Sequence, residues 1–423
     1  MVDEALADTD KTQQRVRKLP ARVVVYLLLA AVLFEDLGYR GVWRKLIAGL
    51  DGLATANPTA AALWQARQRL GVKPLKALFD LLRGPAATAL TSPARWRGLL
   101  VCAIDGTTMD TPDSAGNRSH LGKHQSQHGQ AGYPQLRLVA LVACGTRAVI
   151  DVVFGPRSQS ETTQAKRLWR SLAAGMIVLL DRGFDGNAFL SKVAATKAHF
   201  LVRIKANRRP PLLTRYDDGS YLSVIGGVKV RIIECEITIS TTEGRRTGLY
   251  RLATTLLDSR AYPAFAIVKL YHERWEIESA FFALKSTMLG GRVLRSTTPA
   301  GVAQEVYALL TVYQLLRIAI SDATDTRADA DPDRASFTIA LQTARDQVVK
   351  AANVLESAAI DLVGTIGRAV LGELMPARRL RLGPRTVKRP LSRYAYKSLR
   401  VSRKSYKATL SIDIIAGQWA LAA

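Results

Sequence analysis

Apolar residues recur at intervals of three and four from about residue 18 to about residue 90, a spacing typical of amphipathic helices. Pro58, directly after Asn57, is typical of a helix start, and Gly71 is typical of a helix end. The first 17 residues are mostly polar, and we expect them to be flexible. The predicted helices cover residues 23–34, 39–50, 58–70 and 74–82.

After Trp96 the pattern changes to short apolar runs between turn residues, which is typical of strands. Three sequential strands, followed by alternating helices and strands, indicate an α/β layer with a mixed sheet. Two strands end at an aspartate, Asp105 and Asp181, and open α/β sheets bind ligands at such carboxyl ends. The predicted strands cover residues 99–104, 135–144, 148–154, 176–180 and 199–204, and the predicted helices cover 161–172 and 187–196.

Residues from about 206 to 262 alternate between apolar and polar without a helical period, which predicts a small β-rich insertion. Its predicted strands cover 221–224, 228–239 and 249–256. Helical periodicity returns from residue 264 and continues at 302–320 and 337–371. These patterns divide the chain into a flexible N-terminus (1–17), a helical domain (18–92), an α/β domain (93–323), an acidic linker (324–336) and a helical and basic C-terminal region (337–423).

The stretch YHERWEIESAFFALK, residues 271–285, places polar side chains against the apolar face of a predicted helix. At about 100° per residue, Tyr271, Arg274, Glu278 and Lys285 fall within a stripe about 60° wide, directly beside the apolar stripe. Amphipathic helices ordinarily turn their charged residues away from the core. The arrangement therefore favours side chains that work in a cleft. The alternative is a solvated Arg–Glu pair one helical turn apart.

Charge and cysteine content narrow the function classes. The 423 residues include 60 Lys and Arg against 35 Asp and Glu, a net charge of +25, which favours a polyanionic partner, nucleic acid before membrane. Three isolated cysteines imply a reducing compartment and argue against a zinc ribbon. The longest apolar run, residues 23–34, is too short to span a bilayer. We therefore predict a soluble, cytoplasmic protein with no membrane partner.

Three carboxylates are candidates for the chemistry: Asp105, Asp181 and Glu278. Enzymes that attack a phosphodiester in line usually hold a pair of Mg²⁺ ions with hard oxygen ligands such as carboxylates. Aspartates after strands also serve as turn formers, so each alone is weak support. Asp110 and Asp185 are rival candidates for the first and second position.

The segments around these acids carry a family resemblance. IDGTTMDTPDSAGN around Asp105, LLDRGFDGNAF around Asp181, and Y-x2-R-x3-E-x6-K from Tyr271 to Lys285 resemble the three signatures of bacterial DDE transposases of the insertion-sequence-four type. NPTAAALWQARQRLG resembles the N-terminal domain of that family, and GYPQLRLVALV resembles another part of it. The resemblance covers residues from about 18 to about 320.

The resemblance implies an RNase H-like catalytic core with a β insertion between the second Asp and the Glu. It implies that Asp105, Asp181 and Glu278 are catalytic and bind two Mg²⁺ ions, for which Mn²⁺ substitutes. It implies double-stranded DNA as partner, both element ends and target, and a homodimer in a synaptic complex. It implies that Tyr271, Arg274 and Lys285 contact the DNA around the cleaved strand. Trp275 and Arg182 are further candidate DNA contacts.

Relatives that form a DNA hairpin stack a flipped base on an aromatic residue, commonly a Trp in the insertion. No Trp lies between residues 170 and 274 of this chain. Tyr221, Tyr250 and Trp275 are the candidate substitutes, and the sequence leaves the hairpin route open.

Two further segments are candidate DNA contacts. The helix predicted at 58–70 carries Gln65, Arg67 and Arg69, which either enter a major groove or face solvent. Residues 378–407 hold twelve Lys and Arg and no acid, with interleaved tyrosines, which suits phosphates and bases; Lys388 and Arg389 are the named candidates. The alternative for this tail is an unstructured, solubilising segment.

Three of the five histidines, His120, His124 and His128, are spaced as on a metal-binding helix. Gly122 and Gly129 argue against a helix there, so we expect a mobile loop that contacts DNA.

Together these features predict a transposase that binds terminal inverted repeats, cleaves the ends and joins the freed 3′ ends to target DNA. The alternatives are a nuclease with the same core, and an inactive DNA-binding protein derived from a transposase.

Overall fold

A computed structural model describes residues 1–12, 15, 17–48, 55–87, 91–126, 129–327, 330–350, 362–376, 381–382 and 406–415. Its N-terminal part is helical, as the periodicity predicts. The helices are α1 (Val2–Ala7), α2 (Ala21–Leu33), α3 (Tyr39–Ile47), α4 (Ala60–Leu70) and α5 (Lys73–Leu82).

Two local predictions in this part are wrong. The stretch expected to be flexible contains α1, because its Ala5 and Leu6 are apolar and buried against neighbouring helices. The helix predicted from residue 58 begins at Ala60, since its N-cap is Thr59, whose hydroxyl accepts a hydrogen bond from the Ala62 N–H at 3.1 Å. Gly71 does end α4, with a φ of 72° that favours glycine.

The α/β part follows the predicted order of elements. Its helices are α6 (Ala115–Leu121), α7 (Glu161–Ala165), which continues as a 3₁₀ segment over Lys166–Ser171, and α8 (Asn187–Ala195). Its strands are β1 (Arg95–Trp96), β2 (Leu99–Asp110), β3 (His124–Ser126), β4 (Gly129–Ala131), β5 (Gln135–Ala143), β6 (Val149–Pro156), β7 (Met176–Leu180) and β8 (His199–Arg203).

The central sheet has the order β6-β5-β2-β7-β8. Its first three strands in sequence, β2, β5 and β6, are antiparallel, whereas β7 and β8 run parallel to β2. Numbered by sequence within the core, the order is 3-2-1-4-5, which is RNase H-like. The predicted fold class is therefore confirmed.

The β insertion extends this sheet instead of folding apart from it. It contains β9 (Thr214–Arg215), β10 (Tyr221–Ile225), β11 (Val228–Thr241) and β12 (Gly244–Thr254), and β12 pairs antiparallel with β8. From the C-terminal region come β13 (Arg381–Leu382), β14 (Tyr406–Lys407) and β15 (Thr409–Ile414). β15 pairs with β11, a long-range contact that the sequence pattern does not predict.

Helices cover the sheet and bury alternate residues of β2 in two cores. Val101 and Ala103 belong to the core that contains α2, α5 and the C-terminal helices, whereas Cys102 and Ile104 face the core that contains α8. Asp105 continues the first alternation and Gly106 the second. The C-terminal helices are α9 (Ala264–Tyr271), α10 (Glu276–Phe282), α11 (Pro299–Asp325), α12 (Phe337–Lys350) and α13 (Leu362–Gly372).

Among the described residues, α11 alone is long and apolar enough to cross a membrane. Its most apolar stretch is 72% buried inside the protein, which is what a core helix requires. It packs against α2, α5 and α13. α11 thus joins the N-terminal helices to the α/β core.

A buried ion pair fixes α4 to α11. Arg67 is 6% exposed, and its Nη2 atom lies 3.8 Å from Oε1 of Glu305 and donates a hydrogen bond to the Ser296 hydroxyl. The Arg67 guanidinium also lies 4.0 Å from the centre of the Tyr39 ring. The Arg67 side chain therefore does not reach the surface in this structure, contrary to the expected DNA contact.

We expect Arg67→Ala to lower the free energy of unfolding by about 3 kcal/mol, because it leaves the Glu305 carboxylate buried without its cation. Urea unfolding followed by circular dichroism measures the change. Arg69→Ala, an exposed position on the same helix, is the matched control and should change stability little. Equal stability of the two variants would contradict the assigned role of Arg67.

Candidate active site

Asp105 and Asp181 lie at the same level of neighbouring parallel strands. The register of β2 and β7 pairs residues 76 positions apart, as in Ala103 with Leu179, and Asp105 and Asp181 have the same separation. The prediction that a strand ends at Asp105 is wrong, since β2 continues to Asp110. Its parallel pairing with β7 ends at Ala103, however, so both aspartates stand just past the end of that pairing.

The segment that carries Glu278 is helical but irregular, not the continuous α-helix that the sequence predicts. α9 passes into a 3₁₀ turn at His272–Trp275, then α10, then a π-helical turn at Ala283–Met288. π-helical turns are rare and often occur at functional sites. Because both irregular turns change the rotation per residue, angular positions computed for an ideal α-helix do not apply here.

Arg274 lies between two of the three acids. Its Nη1 atom donates a hydrogen bond to Oδ2 of Asp105 at 3.3 Å, and its Nη2 atom lies 3.7 Å from Oε1 of Glu278. Arg274 is only 8% exposed. The structure thus brings Asp105 and Glu278 to one guanidinium, although they lie on a strand and a helix far apart in sequence.

The other members of the predicted polar stripe have internal partners. The buried Tyr271 hydroxyl donates a hydrogen bond to the carbonyl oxygen of Leu180 at 3.1 Å and so holds the strand end next to Asp181. Burial raises the pKa of Tyr271 to about 12. Lys285 Nζ donates a hydrogen bond to the Thr107 hydroxyl at 3.1 Å, and burial lowers the Lys285 pKa.

Glu161, at the start of α7, is a fourth acid of this site that the sequence analysis does not identify. A Cβ atom added at Gly106 would come within 2.5 Å of Oε1 of Glu161. The Asp105-Gly106 pair resembles a turn signal in the sequence, but here Gly106 makes room for a carboxylate. A glycine inside a strand can indicate a close approach of another group, and Gly106 is the signal that could have led to Glu161.

Two of these carboxyl groups, Asp105 and Glu161, have raised pKa values. Burial raises the pKa of Asp105, and the nearby Asp181 adds to the rise, while Arg274 and the Gly106 N–H oppose it. Burial raises the pKa of Glu161 to about 7, and Asp105 and Asp181 contribute further. Carboxyl groups this close together are costly to ionise at the same time unless a cation lies near them.

The two rival aspartates lie elsewhere. Asp185 is 2% exposed, pairs with Arg208 Nε at 2.7 Å and accepts a hydrogen bond from the Lys205 N–H. Asp110 lies at the far end of β2, where it accepts a hydrogen bond from Gln135. The geometry therefore favours Asp105 and Asp181.

The remaining candidate DNA contacts differ in exposure. Gln65, Arg69 and Arg182 are exposed, whereas Trp275 is half-buried with the Arg274 guanidinium 4.7 Å from its ring centre. His120 lies on α6 and His124 on β3, so these histidines do not share a helix. His128, Lys388 and Arg389 lie outside the described residues.

The donor chemistry of this cluster fits a hard divalent cation. Carboxylate oxygens supply the donors, and Oε1 of Glu161 is buried with no hydrogen-bond partner in the described part of the chain. Within that part, no three Asp, Glu, His or Cys side chains stand close enough to hold a metal ion as they are placed. The Arg274 guanidinium occupies the space between Asp105 and Glu278 instead.

Comparisons with known proteins identify the family of this chain. The transposase DDE domain family matches residues 96–315, and the insertion element 4 transposase N-terminal family matches residues 1–80. The chain is 25% identical over 401 residues to the transposase InsG for insertion sequence element IS4 of Escherichia coli K12, which covers 92% of this chain and 89% of that one. It is 33% identical over 172 residues to the putative transposase InsZ of the same organism, which covers 40% of this chain and 56% of that one.

Among solved structures, a piggyBac transposase synaptic complex with hairpin DNA matches 88% of this chain and 82% of that one. The identity is 9% and the TM-score 0.40, a likeness too distant to support an argument. The match of the DDE domain family covers more than half of the 423 residues and includes Asp105, Asp181 and Glu278. The chain therefore belongs to the transposases with a DDE catalytic domain.

Proposed function

We propose that the protein binds the terminal inverted repeats of an insertion sequence, hydrolyses the phosphodiester bonds at its ends and joins the freed 3′ ends to target DNA. The observation that carries this proposal is that Arg274 contacts both Asp105 and Glu278, while Asp181 lies level with Asp105 at the end of the neighbouring strand. Membership of the DDE transposases and the net charge of +25 support the same reaction and a DNA substrate.

Asp105, Asp181 and Glu278 would hold two Mg²⁺ ions, or Mn²⁺ in their place. Two such ions activate the attacking oxygen and stabilise the leaving one. We expect Arg274 to release at least one carboxylate when the cations bind, because its guanidinium now pairs with two of the three proposed ligands. Until then it neutralises part of their charge and keeps them close together.

Other side chains around the acids would contact the DNA. The exposed Arg182 follows Asp181 directly. Lys285 is held next to β2, the strand that carries Asp105, by its hydrogen bond to Thr107. Arg182 and Lys285 would bind phosphates on either side of the cleaved bond. Tyr271 acts indirectly, by fixing the strand end at Leu180.

A cavity of about 480 Å³ lies beside Arg182 and is lined by Tyr250, whose ring centre is 3.9 Å from the Arg203 guanidinium. Its size and aromatic wall suit an extruded base. Tyr221 is 2% exposed and bonded to Glu234, so it is not accessible for stacking. We infer that Tyr250 is the stacking residue if cleavage passes through a hairpin.

The domain roles follow from this arrangement. Residues 18–92 would bind element ends through the exposed Gln65 and Arg69, residues 93–323 would cleave them, and residues 337–423 would bind DNA or form a dimer contact. Holding two ends together requires a dimer on DNA. The protein would act in the bacterial cytoplasm, associated with the nucleoid when bound to DNA.

Incubation of the purified chain with its own element ends and Mg²⁺, resolved on a denaturing gel, tests the function. We expect nicked ends with 3′ hydroxyls, and larger products joined to target DNA. Cleavage without joined products would identify a nuclease with the same core. End binding without any cleavage would identify an inactive DNA-binding derivative.

A further inference from the structure

Glu161 reaches the cluster from the opposite side of the sheet from Glu278. Alternation along β2 turns Asp105 toward the core with α10 and Gly106 toward the core with α7 and α8. The Glu161 carboxylate lies against the bare backbone of Gly106, where any other residue would place a Cβ atom 2.5 Å from Oε1. The absence of a side chain at position 106 is what allows this acid to approach Asp105.

The Glu161 carboxyl group is only partly satisfied by the protein itself, because it shares a hydrogen bond with Asp105 but has no partner at Oε1 within the described residues. Oε1 is buried, and no group in the described residues donates a hydrogen bond to it. Its charged neighbours Asp105 and Asp181 are both acidic, and Arg137 is the cation that partly offsets them. A buried carboxylate oxygen without a donor costs free energy unless a ligand satisfies it.

We propose that Glu161 is a fourth carboxylate of the metal-binding site, a direct ligand of the divalent cation held by Asp105 and Asp181. The inference rests on the proposed function, since it places Glu161 in the same site. It adds a ligand outside the three signature segments, supplied by the helix that follows the third strand of the core.

A purely structural role is the competing explanation. In that case Glu161 stays protonated and donates a hydrogen bond to Asp105. Glu161→Gln distinguishes the ligand role from the structural role. The glutamine amide keeps the size of the side chain and a hydrogen-bond donor for Asp105, but it cannot carry the negative charge that a cation ligand needs. A structural role predicts that this variant behaves as the wild type, whereas a ligand role predicts a loss of cation binding.

The test is isothermal titration of the DNA-free, full-length protein with Mn²⁺ at pH 8, together with thermal unfolding in EDTA. Glu161→Gln should bind Mn²⁺ about tenfold or more weakly than the wild type. In EDTA it should unfold at a higher temperature, since one repelling charge is gone. Glu243→Gln, at the exposed tip of the β11–β12 hairpin, is the control and should match the wild type in both measurements.

Asp181→Asn in the same titration separates failure of this inference from failure of the proposed function. Wild-type Mn²⁺ affinity in Glu161→Gln, with binding lost in Asp181→Asn, would overturn the role of Glu161 and leave the function intact. Wild-type affinity in both variants would overturn both. The ligand role would also be overturned if Glu161→Gln unfolded at a lower temperature than the wild type in EDTA and bound Mn²⁺ weakly. Partial unfolding would then explain the weak binding.

Discussion

Asp181→Asn is expected to reduce DNA cleavage about a thousandfold or more while leaving binding to element ends unchanged. The side chain stands level with Asp105 on the next strand, so the substitution removes a ligand shared by the proposed cations. Their electrostatic contribution is several kcal/mol, and each 1.36 kcal/mol is a factor of about ten in rate. Asparagine can still accept the hydrogen bond from the Gly183 N–H that Asp181 accepts at 2.7 Å, so the local turn should persist.

Single-turnover cleavage of labelled element ends in Mg²⁺ measures the rate, and gel shift of the same DNA measures binding. Asp217→Asn, an exposed aspartate in the insertion, is the matched control and should cleave as the wild type does. Loss of DNA binding with cleavage intact would contradict the catalytic assignment of Asp181.

Arg274→Met is expected to lower both stability and cleavage. It removes the only cation that the structure shows hydrogen-bonded or ion-paired to Asp105 among the described residues, and it leaves Glu278 without that partner. We expect metal-free unfolding to become easier by about 2 kcal/mol, less than for a fully buried pair because Glu278 is partly exposed. Cleavage should fall about a hundredfold, because the acids are no longer held in place.

Mn²⁺ distinguishes this role from a general packing defect. In the wild type the cation must compete with the Arg274 guanidinium for Asp105 and Glu278, whereas in Arg274→Met that competitor is absent. Thermal unfolding with and without Mn²⁺ should therefore show a larger stabilisation of the variant. Lys269→Met, an exposed cation on α9, is the control. An equal Mn²⁺ effect on Arg274→Met and the wild type would contradict the role of Arg274 as a stand-in for the cation.

Local patterns predicted most elements of the fold. The strand predicted at 176–180 is β7, and the helices predicted at 39–50 and 74–82 correspond to α3 and α5 within a few residues. These elements are predictable because they depend on the spacing of apolar residues within one segment, and that spacing can be read from the sequence. The pairings of β12 with β8 and of β15 with β11 join distant segments, so no local pattern indicates them.

The candidate site also combines features that local sequence patterns predict with long-range contacts that they do not. The sequence identifies Asp105, Asp181 and Glu278 through their motifs, and the structure brings Asp105 and Glu278 to Arg274. The sequence does not identify Glu161, because its approach to Asp105 crosses the sheet at Gly106, where no side chain stands in the way. Arg67 resembles a surface residue in the helical pattern, but its partner Glu305 lies on α11, more than two hundred residues away.

The proposed function requires that Asp105, Asp181 and Glu278 share one pair of divalent cations. Anomalous scattering from crystals of the full chain soaked in Mn²⁺ tests it most directly. We expect Mn²⁺ peaks at about 2.1 Å from oxygens of Asp105 and Asp181, with the Arg274 guanidinium displaced and Glu278 turned toward the ions. Peaks bound elsewhere in the molecule, with Arg274 still between Asp105 and Glu278, would contradict it.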